Sequence, residues 1–268
     1  MLERSEIMSG TPFPWALVTG ASSGLGVEFA RALAEKRINL VLAARRDGPM
    51  HELAEELRQR HGVEVEVEAI DLSEPGSAAQ LLKRLDSRGL APSILINNAA
   101  FGFSGDFIAE DSAKLRAMLQ LDIVTLTELT QLFAQRMMAQ GSGSILLVAS
   151  LAGFQPIPYM AAYSAATAYI LSLGEALNVE LGPNVKVSVL CPGLMETEFL
   201  NVAGYTIPSP MIMRRTMLSP TDVAHQGLRA LARNKPSFVA GKVNRIAAFG
   251  NRFSTRHLQA RIAARTAR

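Results

Sequence analysis

Cysteine is almost missing from this sequence: Cys191 stands alone among 268 residues. No internal disulfide can form, which excludes a cross-linked secreted module. Paired cysteines and the HExxH pattern are missing as well, so no metal centre is expected. No apolar run approaches the roughly 18 residues that cross a bilayer. The opening Met1-Leu2-Glu3-Arg4-Ser5-Glu6 lacks the basic-then-apolar order of a signal peptide, and a cytoplasmic protein is expected. Acid is the third scarcity. Beyond Asp222 there are ten Lys or Arg and no Asp or Glu; subtracting these from totals of 27 basic and 24 acidic leaves 17 against 24, a net of −7, in the first 222 residues. A basic tail attracts anionic lipid or nucleic acid, or is simply a solvated helical surface. It lacks the interleaved aromatics of a single-strand binder, so no nucleic-acid partner is expected.

What is present is an ordinary globular balance, 49% apolar and 19% charged, which excludes disorder for the bulk of the chain. Strand-forming runs at 15–19, 38–44, 63–70, 93–97, 144–149 and 185–190 alternate with segments of helical period at 24–36, 49–61, 77–88, 111–139 and 163–181. This order implies βαβ units and an α/β fold: a doubly wound parallel sheet of Rossmann type with helices on both faces. No linker or repeat divides the series, so residues 1–268 read as a single domain. Ligands of such a sheet bind beyond the carboxyl ends of its strands.

The first strand is followed by Thr19-Gly20-Ala21-Ser22-Ser23-Gly24-Leu25-Gly26 and then a helix. Gly20 permits a tight turn. Gly24 and Gly26 let the backbone and the helix N-terminus approach a pyrophosphate, which the free N–H groups and the helix dipole favour. The spacing is G-x-x-x-G-x-G, unlike the commoner G-x-G-x-x-G, and its place between strand and helix makes it a nucleotide-binding turn.

From about Trp15 to Thr197 the chain resembles the short-chain dehydrogenases/reductases. The turn Gly20 to Gly26, with Ser22, Ser23 and Leu25, matches that family's cofactor loop. Asp71-Leu72 matches its adenine-contacting Asp, and Asn97-Asn98-Ala99-Ala100 its N-N-A-G with the last glycine changed. Ser150 precedes Tyr163 by thirteen residues, the family's catalytic spacing, and Pro192-Gly193 with Thr197 matches the P-G-x-x-x-T segment beside the nicotinamide. The resemblance implies hydride transfer between a nicotinamide and a carbonyl or alcohol carbon, with Ser150 bonded to the substrate oxygen and Tyr163 moving its proton.

Cofactor choice is read from the end of the second strand, Ala43-Ala44-Arg45-Arg46. A carboxylate for a ribose 2′-hydroxyl is missing near Ala44, and Arg45 can pair with a 2′-phosphate. NADP(H) is the expected cofactor.

At the catalytic set the sequence departs from the family. Thr167 stands four residues after Tyr163, where the resemblance implies a lysine that lowers the tyrosine pKa, and Asp122 stands where it implies an asparagine. Three readings follow: an enzyme in which Asp122, Thr167 and water form a weaker proton relay, a nucleotide-binding pseudoenzyme, or an active reductase inactivated by a deliberate substitution.

Residues 195–217 occupy the family's variable substrate lid. Met195, Phe199, Leu200, Ile207, Met211, Ile212 and Met213 there suggest an apolar carbonyl or alcohol substrate. Tyr159 is expected in the substrate wall, and Cys191 as a small buried hydrophobe. The segment 111–139 is apolar almost all round, so its outer side is expected to pack on a second copy in a homodimer or homotetramer. In the tail, about 242–268, a helix over 245–256 would place Ile246, Phe249 and Phe253 on one stripe edged by Arg245, Arg252 and Arg256, suited to weak peripheral contact with a membrane.

Overall fold

The computed structural model describes residues 13–195, 197–199, 203–204 and 217–266. Seven parallel strands, β1 (Trp15–Thr19), β2 (Asn39–Ala44), β3 (Val65–Ala69), β4 (Ile94–Asn97), β5 (Gly143–Val148), β6 (Val185–Cys191) and β7 (Ser237–Val239), form one sheet in the order β3-β2-β1-β4-β5-β6-β7. The expected doubly wound sheet is present. The order reverses between β1 and β4, and the crevice that opens there is where such a sheet binds ligands.

Burial explains why the strands read as unbroken apolar runs. All six residues of β2 are buried, as expected for a parallel sheet covered on both faces. Side chains alternate between two cores. Val18, Leu40 and Leu42 meet α1 (Gly24–Ala34), α2 (Asp47–His61) and α7 (Pro220–Ala232) through Phe29, Leu53 and Val223. Leu17, Val41 and Leu95 meet α3 (Ser77–Ser87), α5 (Leu126–Gln140) and α6 (Ala161–Glu180) through Leu81, Phe133 and Ile170.

The segment 111–139 is not one regular helix. Asp111 caps α4 (Ser112–Leu119), its carboxylate accepting from the Ala113 N–H at 2.8 Å, and a π-helical segment (Gln120–Thr125) joins α4 to α5. A π-turn inserts residues into the α-helical count and rotates the phase of everything after it. Met118 therefore faces a small cluster with Phe103, Ala152 and Tyr163, while Leu129, Phe133 and Met137 face the sheet. The change of phase accounts for much of the all-round apolarity, and Gln131 and Gln135 are exposed on α5.

The last strand β7 and helix α7 were not visible in the sequence pattern. Three residues are too few to show a period of two. Helix α7 begins at the cap Ser219, whose hydroxyl accepts from the Asp222 N–H at 3.1 Å. The tail departs from a single helix over 245–256. It forms α8 (Lys242–Gly250), a 3₁₀ turn (Asn251–Phe253) and α9 (Arg256–Thr266).

Candidate active site

The carboxyl ends of the strands surround a cleft of about 620 Å³. It is lined after β1 by Gly20, Ser22, Ser23, Gly24 and Leu25, after β2 by Arg45 and Arg46, after β3 by Asp71 and Leu72, and after β4 by Asn98, Ala99 and Ala100. Ser150 lines it after β5, Pro192, Gly193 and Thr197 after β6, and Asp122, Tyr163 and Thr167 from the helices. Of the residues singled out in the sequence, Gly26 is outside the lining. A β-carbon there would overlap the Gly20 carbonyl and stand 3.0 Å from the Asn98 amide nitrogen. Gly26 is needed for helix α1 to pack against the turn.

One clamp holds the switch point open. The Asn98 amide donates to the Thr19 carbonyl at 2.8 Å, and the Thr19 hydroxyl accepts from the N–H groups of Asn98 and Ala99, each at 2.9 Å. Gly20 turns away from β1 at a φ of +68°, where a side chain would be strained and a β-carbon would lie 2.9 Å from the Asn98 amide. Beyond it, Ser23 precedes α1 in extended conformation and makes no side-chain cap. The first-turn N–H groups of α1 therefore stay without a Ser23 partner at the positive end of the helix dipole. A glycine cradle with an uncapped helix N-terminus fits a dinucleotide pyrophosphate.

The two arginines differ. Arg45 is largely exposed and meets Asp71 only at 3.9 Å. Asp71 is in turn engaged by Ser73, its Oδ1 accepting from the Ser73 hydroxyl at 2.6 Å. Arg46, which the sequence reading passed over, reaches Glu198 at 2.8 Å and lies 3.5 Å from Ser22 Oγ. The Arg46 hydrogen bond, its charge and a hydrogen bond from Ser23 hold the Glu198 carboxyl below the usual carboxylate range. Glu198 thus meets Arg46, just after β2, in an exposed ion pair at the cleft edge.

At the other end Ser150 and Tyr163 line the cleft together, and the Ser150 hydroxyl accepts from the Ala152 N–H at 3.1 Å. Tyr163 sits among apolar side chains, with Phe101, Phe103, Ile157 and Met160 around it and the Phe199 ring 5.4 Å away. Gly102, another residue missed in the sequence, leaves room for the phenol ring: a β-carbon there would come within 2.9 Å of it. Burial pushes the Tyr163 pKa well up, the neighbouring Ser150 hydroxyl opposes this, and Asp122 and Cys191 would add to it only if ionised.

Asp122 projects from the π-turn and is 1% exposed. Its Oδ1 accepts from the Phe101 N–H at 3.2 Å, and its Oδ2 is buried without a hydrogen-bond partner among the described residues. Burial raises its pKa well above the ordinary value, only partly opposed by the Phe101 bond, so the neutral acid is favoured. The Thr167 hydroxyl lies within hydrogen-bonding reach of the Tyr163 and Ser164 carbonyls, at 3.1 and 3.2 Å. Its single proton is committed to its own helix. Among the described residues that line the cleft, Arg45 and Arg46 are the cations, and both are paired at the opposite end.

Tyr159 is not part of the cleft wall; it holds a left-handed φ of +66° in the loop before α6. Cys191 is fully buried at the end of β6, and burial pushes its thiol well up. Met195 and Phe199 of the lid line the cleft, whereas Leu200, Ile207, Met211, Ile212 and Met213 lie outside the described residues.

Residues 14–205 match the model of the short chain dehydrogenase family. The chain is 36% identical over 203 residues to a very-long-chain 3-oxoacyl-CoA reductase of Podospora anserina, an alignment covering 73% of this chain and 59% of that protein. It thus spans less than two thirds of that relative's length. A short-chain dehydrogenase from Sphingobium yanoikuyae, solved in complex with NADPH, is similar with a TM-score of 0.79 and 31% identity over 90% of this chain and 94% of that one. A 7beta-hydroxysteroid dehydrogenase structure gives a TM-score of 0.86 at 26% identity, over 94% of this chain and 96% of that one.

Proposed function

The chain belongs to the short-chain dehydrogenase family, and on that premise we propose that it is an NADP(H)-dependent oxidoreductase acting on an apolar carbonyl or alcohol, through an active site that works without the lysine. The observation that carries this reading is that Ser150 and Tyr163 come together in the cleft that the glycine turn opens. NADP(H), when bound, supplies or accepts the hydride. The uncapped start of α1 and Gly20 to Gly24 would hold its pyrophosphate, Arg45 its 2′-phosphate, Asp71 and Leu72 its adenine end, and Asn98 to Ala100, Pro192, Gly193 and Thr197 the remainder.

Ser150 fixes the carbonyl oxygen and Tyr163 gives it a proton as charge develops there. A buried neutral phenol is a competent donor, so the site favours reduction over oxidation. Asp122 in its neutral form adds no repelling charge beside the forming tyrosinate. The apolar walls exclude water and suit apolar groups such as the 3-oxoacyl chain and the hydroxysteroid named for two of its relatives. The same proposal includes one domain over residues 1–268, a cytoplasmic location, a homodimer or homotetramer, and contact of the basic tail with membrane. Among the described residues no helix is long and apolar enough to cross a bilayer.

The competing reading is a nucleotide-binding pseudoenzyme. It draws on the Thr167 hydroxyl being bonded back into α6 and on the lack of a described cleft cation beside Tyr163. A substitution introduced into an active reductase would leave the same traces. Turnover of NADPH with a panel of 3-oxoacyl thioesters, ketosteroids and aromatic ketones tests the enzyme reading: consumption stoichiometric with alcohol formation supports it, and tight NADPH binding with no consumption on any substrate favours the pseudoenzyme.

A further inference from the structure

Helices α8 and α9 turn their small or polar side chains inward and their large apolar ones out. Asn244, Ala248, Gln259 and Ala263 are buried, while Val243, Ile246, Phe249, Phe253, Leu258 and Ile262 are exposed, Ile246 and Phe253 by 73% and 79%. A surface helix does the opposite when the protein's own core is its only apolar partner. We propose that this helical pair is a docking surface for an anionic lipid bilayer, which takes its apolar side chains into the acyl boundary and its arginines to the phosphates.

The pair is held in a fixed shape. The Gln259 amide donates to the Asn251 carbonyl at 2.6 Å and the Ser254 carbonyl at 3.1 Å, tying α9 back to the turn after α8. Phe249 and Phe253 meet edge to face at 5.4 Å, and the Arg252 guanidinium stands 5.7 Å from the Phe249 ring.

Charge selects the occupant. Lys242, Arg245, Arg252, Arg256, Arg261 and Arg265 are all exposed, and no acidic residue follows Asp222. A second copy of this surface, meeting it about a two-fold axis, would set cation against cation. A nucleic acid would match the charge but leaves the aliphatic side chains without a partner. An anionic bilayer satisfies both, with long basic side chains extending to the headgroups around an apolar centre.

The surface adjoins the cleft. A β-carbon on Gly193, which lines the cleft, would overlap the Asn244 side-chain amide on the inner face of α8. Helix α8 also contacts the 3₁₀ turn Leu151–Phe154 that follows Ser150. Docking would place the lipid about one helix diameter, roughly 10 Å, from the cleft wall. The docking surface stands whether or not the cleft turns over substrate.

Flotation of the full chain with vesicles tests it. The chain floats with phosphatidylcholine vesicles containing phosphatidylglycerol, less so as salt is raised, and stays at the bottom with pure phosphatidylcholine. Phe249→Ser with Phe253→Ser lowers partitioning by at least about tenfold, with an unchanged melting temperature. If that variant melts early, Ile246→Asn serves in its place. Equal flotation with both vesicle types, no flotation, or flotation of the variants like the unmodified chain overturns the proposal. So does competition by a single-stranded oligonucleotide that the phenylalanine variant no longer binds, or a dimer in sedimentation that the same variant dissociates in the absence of vesicles.

Discussion

The Thr167 hydroxyl lies 3.1 Å from the main-chain carbonyl of Tyr163, within reach to donate to it, and thereby bonds to the backbone of the residue whose phenol a relay would have to serve. Threonine at this place supports the helix and supplies neither a cation nor a free proton. Burial raises the phenol's pKa, which favours its neutral form.

Alcohol oxidation, which needs the tyrosinate, should be very slow at neutral pH and climb about tenfold per pH unit with no plateau below about pH 10. Reduction should be flat over the same range. Thr167→Lys brings an ammonium to a position lining the cleft. It should raise the neutral-pH rate in both directions by about 10- to 100-fold and move the oxidation profile downward. The pH profiles of kcat/KM for Thr167→Lys, with and without Asp122→Asn, check this. A profile unmoved in both variants contradicts it.

Asp122 carries a stability prediction with a definite sign. Its folded-state pKa is raised above the ordinary 3.8 by burial. Its favourable contribution is therefore present below that value and is lost as pH rises toward the folded-state value, at about 1.4 kcal/mol per pH unit between the two. Asp122→Asn cannot ionise and still accepts from the Phe101 N–H. The melting temperature of Asp122→Asn minus that of the unmodified protein should grow from pH 5 to pH 8 (roughly 4 °C or less per kcal/mol in a chain this long). A difference constant across that range contradicts the buried neutral acid.

These two residues also mark where the sequence was legible and where it was not. The strand and helix order and the glycine turn could be read from local pattern, apolar runs and glycine spacing, and the rest of the cleft-lining set from Asp71 to Thr197 from short motifs that carry the family resemblance, such as Ser150 and Tyr163 thirteen residues apart. The π-turn at Asp122 could not be read, because inserted residues leave only a broadened apolar stripe. Nor could the packing role of Gly26 or the Arg46–Glu198 pair, whose members are 152 residues apart. Contacts of that kind depend on tertiary approach, and no periodicity encodes them.

Cofactor preference should follow Arg45 more than Arg46, since Arg46 is already engaged by Glu198. A charged hydrogen bond contributes about 1.5–3 kcal/mol, so NADPH should bind roughly ten- to a hundredfold more tightly than NADH. Arg45→Asp should erase or reverse the difference. Direct titration of both nucleotides checks it, and equal dissociation constants in the unmodified protein contradict the assignment.

Assembly is a separate matter. Val124 and Met138 in the segment 111–139, and Tyr169 and Val179 on α6, are between 39% and 79% exposed, and the Thr127 and Tyr169 hydroxyls meet at 3.0 Å to tie the two outer helix faces together. Sedimentation at micromolar concentration should give a dimer or tetramer, and Val179→Glu should shift it toward monomer. A monomer in the unmodified protein contradicts this.

The central claim is that the Ser150–Tyr163 pair transfers a proton during NADPH-dependent reduction despite Thr167. It is tested by following NADPH binding and ketone reduction on the same samples of the unmodified protein and Tyr163→Phe. The account predicts equal NADPH affinity in the two, measurable reduction in the first, and a loss of at least about a hundredfold in the second. Equal reduction by both proteins, or binding without reduction in either, would contradict it.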